Sequence, residues 1–210
     1  MLSNMFCKNI HYMKYYKLRP ILFDIYNNKN ISNTTLEHII PQSIYKKKDK
    51  ILCRDLHNII LYPAKVNMHR SNFKYISDFT IYEDSIILDK NGNIHRYDKP
   101  LYDNFYIKND RKKYFLPSNK FKGDISRAAM YFLYTYPKYR DNILRNIIDP
   151  YTILTWHHQH PVSEFELYKS YEISKIQGNE NLFINQPQLL VPKMENILQK
   201  DLQVFDNYKY

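Results

Sequence analysis

The stretch "NTTLEHIIPQSIYKKKDKILCRDLHNIILYPAKVNMHRSNFKY", residues 33–75, decides how this chain is read. It sets Glu37 directly beside His38, breaks at Pro41, crosses a lysine-rich segment and returns to Asp55, His57, Asn58, Asn67, Arg70 and Asn72. "LEHII" reads as a short strand stopped by Pro41, which has no N–H to give to a ladder. "IYKKKDK" reads as a charged loop and "HNIILY" as a second strand. Pro63 suits the first position of a following helix, because its missing N–H would be unpaired there in any case. That helix carries Asn67 and Arg70 three residues apart, on one face.

A strand, a loop, a second strand and a helix would bring Glu37, His38 and Asn67 together, and such a set has a definite chemistry. Hydrolysing a phosphodiester needs a base to deprotonate water and a cation to neutralise the charge that builds on phosphorus. Histidine, with an ordinary pKa of ~6.5, suits the first task near neutral pH. A carboxylate and an amide oxygen suit a hard cation such as Mg²⁺, with Mn²⁺ as a substitute, and leave its other positions to water and phosphate. Neighbouring residues on an extended chain point to opposite sides, so Glu37 and His38 can flank a phosphate without competing for one position. His57 and Asn58 are expected to tie the two strands together, and Asp55 to orient a neighbour.

The rest of the chain agrees with a polyanionic partner. Lys and Arg total 31 against 21 Asp and Glu, a formal net charge of +10 over 210 residues. That balance points to nucleic acid, although the heavy use of Lys, Asn, Ile and Tyr contributes to it. Cys7 and Cys53 are the only cysteines, which excludes a disulfide framework or a cysteine-built zinc site and leaves two free thiols. The N-terminal segment has Lys8 and His11 where an export signal would carry its apolar run, and no stretch has the length of a membrane span. The expectation is a soluble, intracellular protein without a membrane partner.

Hydrophobic periodicity predicts a helix over residues 12–26, a hairpin over 85–97 turning at Asn91-Gly92 in a type I′ turn, and a helix from Asp124, as its cap, to about Tyr136. Further helices are predicted over 141–148, 150–157 and from Ser163 to about Ile176. Glu166 would complete a capping box in the last of these and Gly178 would end it. His157, His158 and His160 match no zinc spacing and are expected at the surface. Trp156 is expected in the core, and most tyrosines in core and rim packing. The fold class is α+β with more helix than strand, in a single domain over 1–210.

"EHIIPQS", "DLHNIILYPAKVNMHRSNFKY", "KGDISRAAMYF" and "WHHQHPVSEFELYKSYEISKIQGNENLFI" follow one another in an order that resembles the endonuclease I family of bacterial non-specific nucleases. The resemblance implies a ββα-metal (His-Me) finger over about 34–75, embedded in a mainly helical domain whose C-terminal part covers about 122–187, with the hairpin as an addition. It implies His38 as general base, Glu37 and Asn67 as metal ligands, and cleavage of DNA, and often RNA, with little sequence preference, leaving 5′-phosphate ends. The chain departs from the family in a short loop after Pro41 that lacks the family's cysteines and arginine, and in Cys53, which stands where some members have a glutamate. Lys46, Lys47, Lys48 and Arg54 are the candidates for the missing phosphate contact, with Arg70 as a further basic candidate and Arg127, which the resemblance matches to a family arginine, expected in phosphate contact or structural pairing. Two alternatives stay open: a structure-selective or homing-type nickase, and a nucleic-acid-binding protein whose finger has lost catalysis. A monomer is expected.

Overall fold

The computed structural model describes residues 13–26, 33–77, 86–89, 91–95, 105–109 and 113–206. Cys7, the segment proposed to lack an export signal, most of the loop after residue 26 and much of the basic aromatic stretch before residue 113 lie outside the described residues. A 3-10 turn over Tyr15–Lys17 leads into α1 (Leu18–Ile25), shorter than the predicted helix. Next come β1 (Thr34–His38), α2 (Gln42–Tyr45), 3-10 turns over Lys50–Arg54 and Leu56–Asn58, β2 (Ile59–Pro63) and α3 (Ala64–Arg70). The lysine-rich loop is therefore partly ordered into helical turns. β1 and β2 pair antiparallel, with Glu37 opposite Ile60 and His38 opposite Ile59.

β2 is buried on both faces, and this explains its unbroken apolar run. Ile60 and Tyr62 enter the larger core with Phe132, Trp156 and Phe183. Ile59 and Leu61 enter a smaller one with Leu18, Leu22 and Ile25 of α1 and Ile173. A strand with a core on each side needs no polar alternation. Asn58 closes the open end of the pair: its Oδ1 accepts from the Ile40 N–H at 2.8 Å and its Nδ2 donates to the Ile40 carbonyl at 3.0 Å.

A second sheet is formed by β3 (Lys74–Tyr75), β4 (Ile86–Leu88), β5 (Ile94–His95), β6 (Phe105–Asn109) and β7 (Lys113–Leu116), in the order β3-β7-β6-β4-β5. The β4–β5 hairpin is present, but its turn is not type I′. That turn needs positive φ at both central residues, and of the pair only Gly92 has it, at 75°. The Asp89 carboxylate instead accepts from the Asn91 and Asn93 N–H groups at 2.8 and 2.9 Å, which holds a longer turn. Its tip presses on α3: a Cβ at Gly92 would sit 2.5 Å from the Lys65 Cβ.

The helical part comprises α4 (Asn119–Thr135), α5 (Arg140–Asn146), α6 (Pro150–Gln159), α7 (Glu164–Gln177), α8 (Leu182–Asn185) and α9 (Pro187–Asp206). α4 starts before Asp124, which lies inside the helix and accepts from Lys169 Nζ at 2.8 Å. Gly123 is needed there for space, since a Cβ would come within 2.3 Å of the Arg127 guanidinium. Ser163 caps α7 through the Glu166 N–H at 3.1 Å, and Gly178 ends it with φ 76°. The Glu166 carboxylate does not return to the cap, as a capping box would have it, because Arg127 holds it. Trp156 is fully buried. No helix among the described residues is long and apolar enough to cross a membrane.

Candidate active site

The end of β1 delivers two adjacent side chains to two different environments. Glu37 is buried, and its Oε1 accepts from Arg70 Nη1 at 2.6 Å and from the Tyr75 hydroxyl at 3.5 Å. Arg70 also donates to the His38 and Ile39 carbonyls at 3.3 and 3.2 Å, so the last turn of α3 clamps the strand end. Burial pushes the Glu37 carboxyl up, Arg70 and Tyr75 oppose it, and the result is about 7. Burial works against the Arg70 charge, but Tyr75 and Glu37 outweigh it and hold the guanidinium above its ordinary value.

One turn earlier on α3, Asn67 Nδ2 donates to the Leu36 carbonyl at 3.0 Å. That bond commits the amide nitrogen to β1 and leaves the acceptor Oδ1 for another partner. A carboxylate and an amide oxygen, borne by a strand and by the helix that crosses it, fit a hard divalent cation that keeps several of its waters. Among the described residues there is no cluster of three or more His, Cys, Asp and Glu that could hold a metal. A cation at Glu37 would be held by few protein donors and would compete with Arg70.

On the other side of the strand, His38 Nε2 lies 3.0 Å from the Cys53 carbonyl oxygen. A carbonyl only accepts, so Nε2 carries the proton and Nδ1 carries the lone pair. Gln42 Nε2 stands against the ring, 3.3 Å from Nδ1 and 3.2 Å from Nε2, and is aligned with neither nitrogen alone. Burial lowers the His38 pKa from 6.5, the Cys53 carbonyl opposes that, and Lys46 and Arg70 add to it. The imidazole is thereby kept neutral at neutral pH, the form a general base requires. Beside it opens a cleft of about 270 Å³ lined by Tyr15, Gln42, Lys46, Lys50, Cys53 and Arg54.

The expected basic residues divide into three groups. Lys46 and Arg54 line this cleft, whereas Lys47 and Lys48 are exposed outside its lining. Arg70 and Arg127 are each 1% exposed and ion-paired, Arg70 to Glu37 and Arg127 to Glu166. Both guanidinium groups are structurally paired, which is one of the two roles expected of Arg127, because a desolvated guanidinium is stabilised by a carboxylate. His57 does not tie the strands together as Asn58 does: its Nε2 reaches the Asn179 carbonyl at 3.1 Å, beyond α7. Asp55 gathers the Tyr131 and Tyr136 hydroxyls at 3.0 and 2.7 Å, Gln177 Nε2 at 3.2 Å and the His57 N–H at 3.1 Å. His158 is exposed and pairs with Glu195 at 2.9 Å, while His157 is half-buried, not at the surface, with burial pushing its pKa down to about 4.

The sequence reading missed Tyr15, Gln42, Lys50 and the Cys53 carbonyl. Only Lys50 had a signal, as the last cation of "KKKDK"; a main-chain oxygen has none.

A buried basic–acidic strand end, a crossing helix with an amide and a neutral histidine beside a cationic cleft define a site suited to phosphodiester chemistry. The family model for Endonuclease I matches residues 22–188, and the chain belongs to that family. It is thus a nuclease by family, with nucleic acid as the substrate class, and nucleases of this family are generally divalent-metal dependent. No curated protein gives a significant match.

Proposed function

We propose that the chain is a Mg²⁺-dependent endonuclease that cuts DNA, and RNA as well, with little sequence preference and leaves 5′-phosphate ends. In this reading β1, β2 and α3 are the ββα-metal finger. His38 takes the proton of the attacking water on Nδ1. The Cys53 carbonyl keeps the ring oriented and shares the charge of the imidazolium that forms. Glu37 and Asn67 would hold the cation, which when bound neutralises charge on the phosphate and the leaving oxygen. Lys46 and Arg54 face the backbone of the nucleic acid and not its base edges, so affinity carries little sequence information.

The observation that carries this reading is the pairing of His38 Nε2 with the Cys53 carbonyl. It leaves a neutral ring whose other nitrogen, Nδ1, keeps its lone pair, with the cleft opening beside it. The test is plasmid nicking with and without EDTA by the wild type and His38→Ala. Wild-type cutting should require Mg²⁺ or Mn²⁺, and His38→Ala should lose roughly two to four orders of magnitude while still binding DNA. Near-normal cutting by that variant would overturn the assignment.

A further inference from the structure

The Tyr15 ring lies nearly parallel to the His38 imidazole, 4° between planes and 6.2 Å between centroids. It is 44% exposed, and no residue of its 3-10 turn is buried, so the ring is not there to fill a core. Its hydroxyl accepts from Gln42 Nε2 at 3.2 Å, the same amide that stands over His38. The ring thus walls the cleft whose rim carries Lys46, Lys50 and Arg54. Tyr15 precedes the family-matched residues 22–188.

An exposed aromatic face beside a ring of cations has the chemistry of a single-strand subsite, in which a base stacks and the adjoining phosphate is neutralised. We propose that this cleft takes one unpaired nucleotide next to the reacting phosphate, its base stacked on Tyr15 and its phosphate among Lys46, Lys50 and Arg54. The inference rests on the nuclease reading for its position beside His38, and it adds a substrate preference. A base inside a continuous duplex is already stacked and paired, and presents no free face to Tyr15 without the cost of flipping out. Single strands, loops and frayed ends are therefore preferred. The preference is blind to sequence, since every base has a face to stack.

The test is fluorescence anisotropy of the full chain in EDTA, with a labelled single-stranded oligonucleotide and a blunt duplex of the same sequence. Tyr15→Ala should weaken single-strand binding roughly ten-fold, the scale of one stacked base, and duplex binding by less than about two-fold. Tyr15→Trp should restore single-strand binding. Lys50→Ser should flatten the slope of log K against log salt on the single strand by about 0.7, and Tyr15→Ala should leave that slope alone. Equal losses on both forms, or no loss on the single strand, would overturn the subsite. Wild-type cutting with Mg²⁺ is read separately: discrimination by Tyr15 without any cutting removes the nuclease reading and keeps the subsite, while cutting without discrimination does the reverse.

Discussion

Two buried arginine–carboxylate pairs, Arg70–Glu37 at the end of β1 and Arg127–Glu166 between α4 and α7, share a closest distance of 2.6 Å and differ in how far the carboxylate is saturated. Arg127 meets both oxygens of Glu166, Nε on Oε1 at 2.7 Å and Nη2 on Oε2 at 2.6 Å, and gives Nη1 to the His160 carbonyl at 2.8 Å. Arg70 reaches only Oε1 of Glu37 and gives its other bonds to main-chain carbonyls. The saturated pair is a rivet. The half-saturated pair leaves a carboxylate able to exchange its partner for a cation, and it sits where Asn67 and His38 are.

The difference can be broken by substitution. Removing one member of the saturated pair leaves a buried charge unmatched, so Arg127→Ala should cost about 3–5 kcal/mol of stability. Replacing both members, as Arg127→Met with Glu166→Leu, should recover much of that loss, because the apolar pair has no charge to desolvate. Urea unfolding measures both variants. A loss under about 1 kcal/mol for Arg127→Ala would mean that the pair is not the rivet described.

Glu37→Gln keeps an acceptor for Arg70 and should stay folded, yet lose roughly two orders of magnitude in cutting as charge stabilisation by the cation is weakened. Nicking assays across a Mg²⁺ titration check this. Full activity in the variant would make Glu37 as structural as Glu166.

The smallest effect is on stability against pH. In the folded chain the Glu37 carboxyl holds its proton up to about 7, against an ordinary value of 4.5. Between those values the folded state binds more protons than the unfolded state, so the contribution of this group is full below 4.5 and falls as pH rises to about 7. In EDTA, Glu37→Gln should therefore gain stability relative to the wild type across that window and show a constant difference above it. A difference that does not change with pH would show that Arg70 holds Glu37 ionised throughout.

Local chemistry made much of the fold legible before any coordinates. Asn-Gly marked a hairpin, and Ser163 and Gly178 bounded a helix, because each acts on its own neighbouring backbone groups. The strand expected to run to Pro41 ends at His38, and Pro41 caps α2 instead. The α4 start was misread because Gly123-Asp124 looks like a break and a cap. It is instead a space for Arg127 and a partner for Lys169, and both partners lie outside the local stretch. The helices α8 and α9 were not foreseen either, and Pro192 inside α9 works against a local helical reading.

The sequence by itself determined the residue types of the site: a carboxylate and an imidazole side by side, an amide on the next helix, and cations between. Their spacing along β1 and α3 follows from backbone periodicity alone. Only the tertiary structure decided which of them face the cleft. Burial paired Arg70 with Glu37 and Arg127 with Glu166, because a desolvated guanidinium is stabilised by a carboxylate. Chain closure brought the Cys53 carbonyl onto His38 and Tyr15 alongside it, contacts made across 15 and 23 positions of sequence. A main-chain oxygen is common to every residue, so its role depends wholly on where the fold aims it.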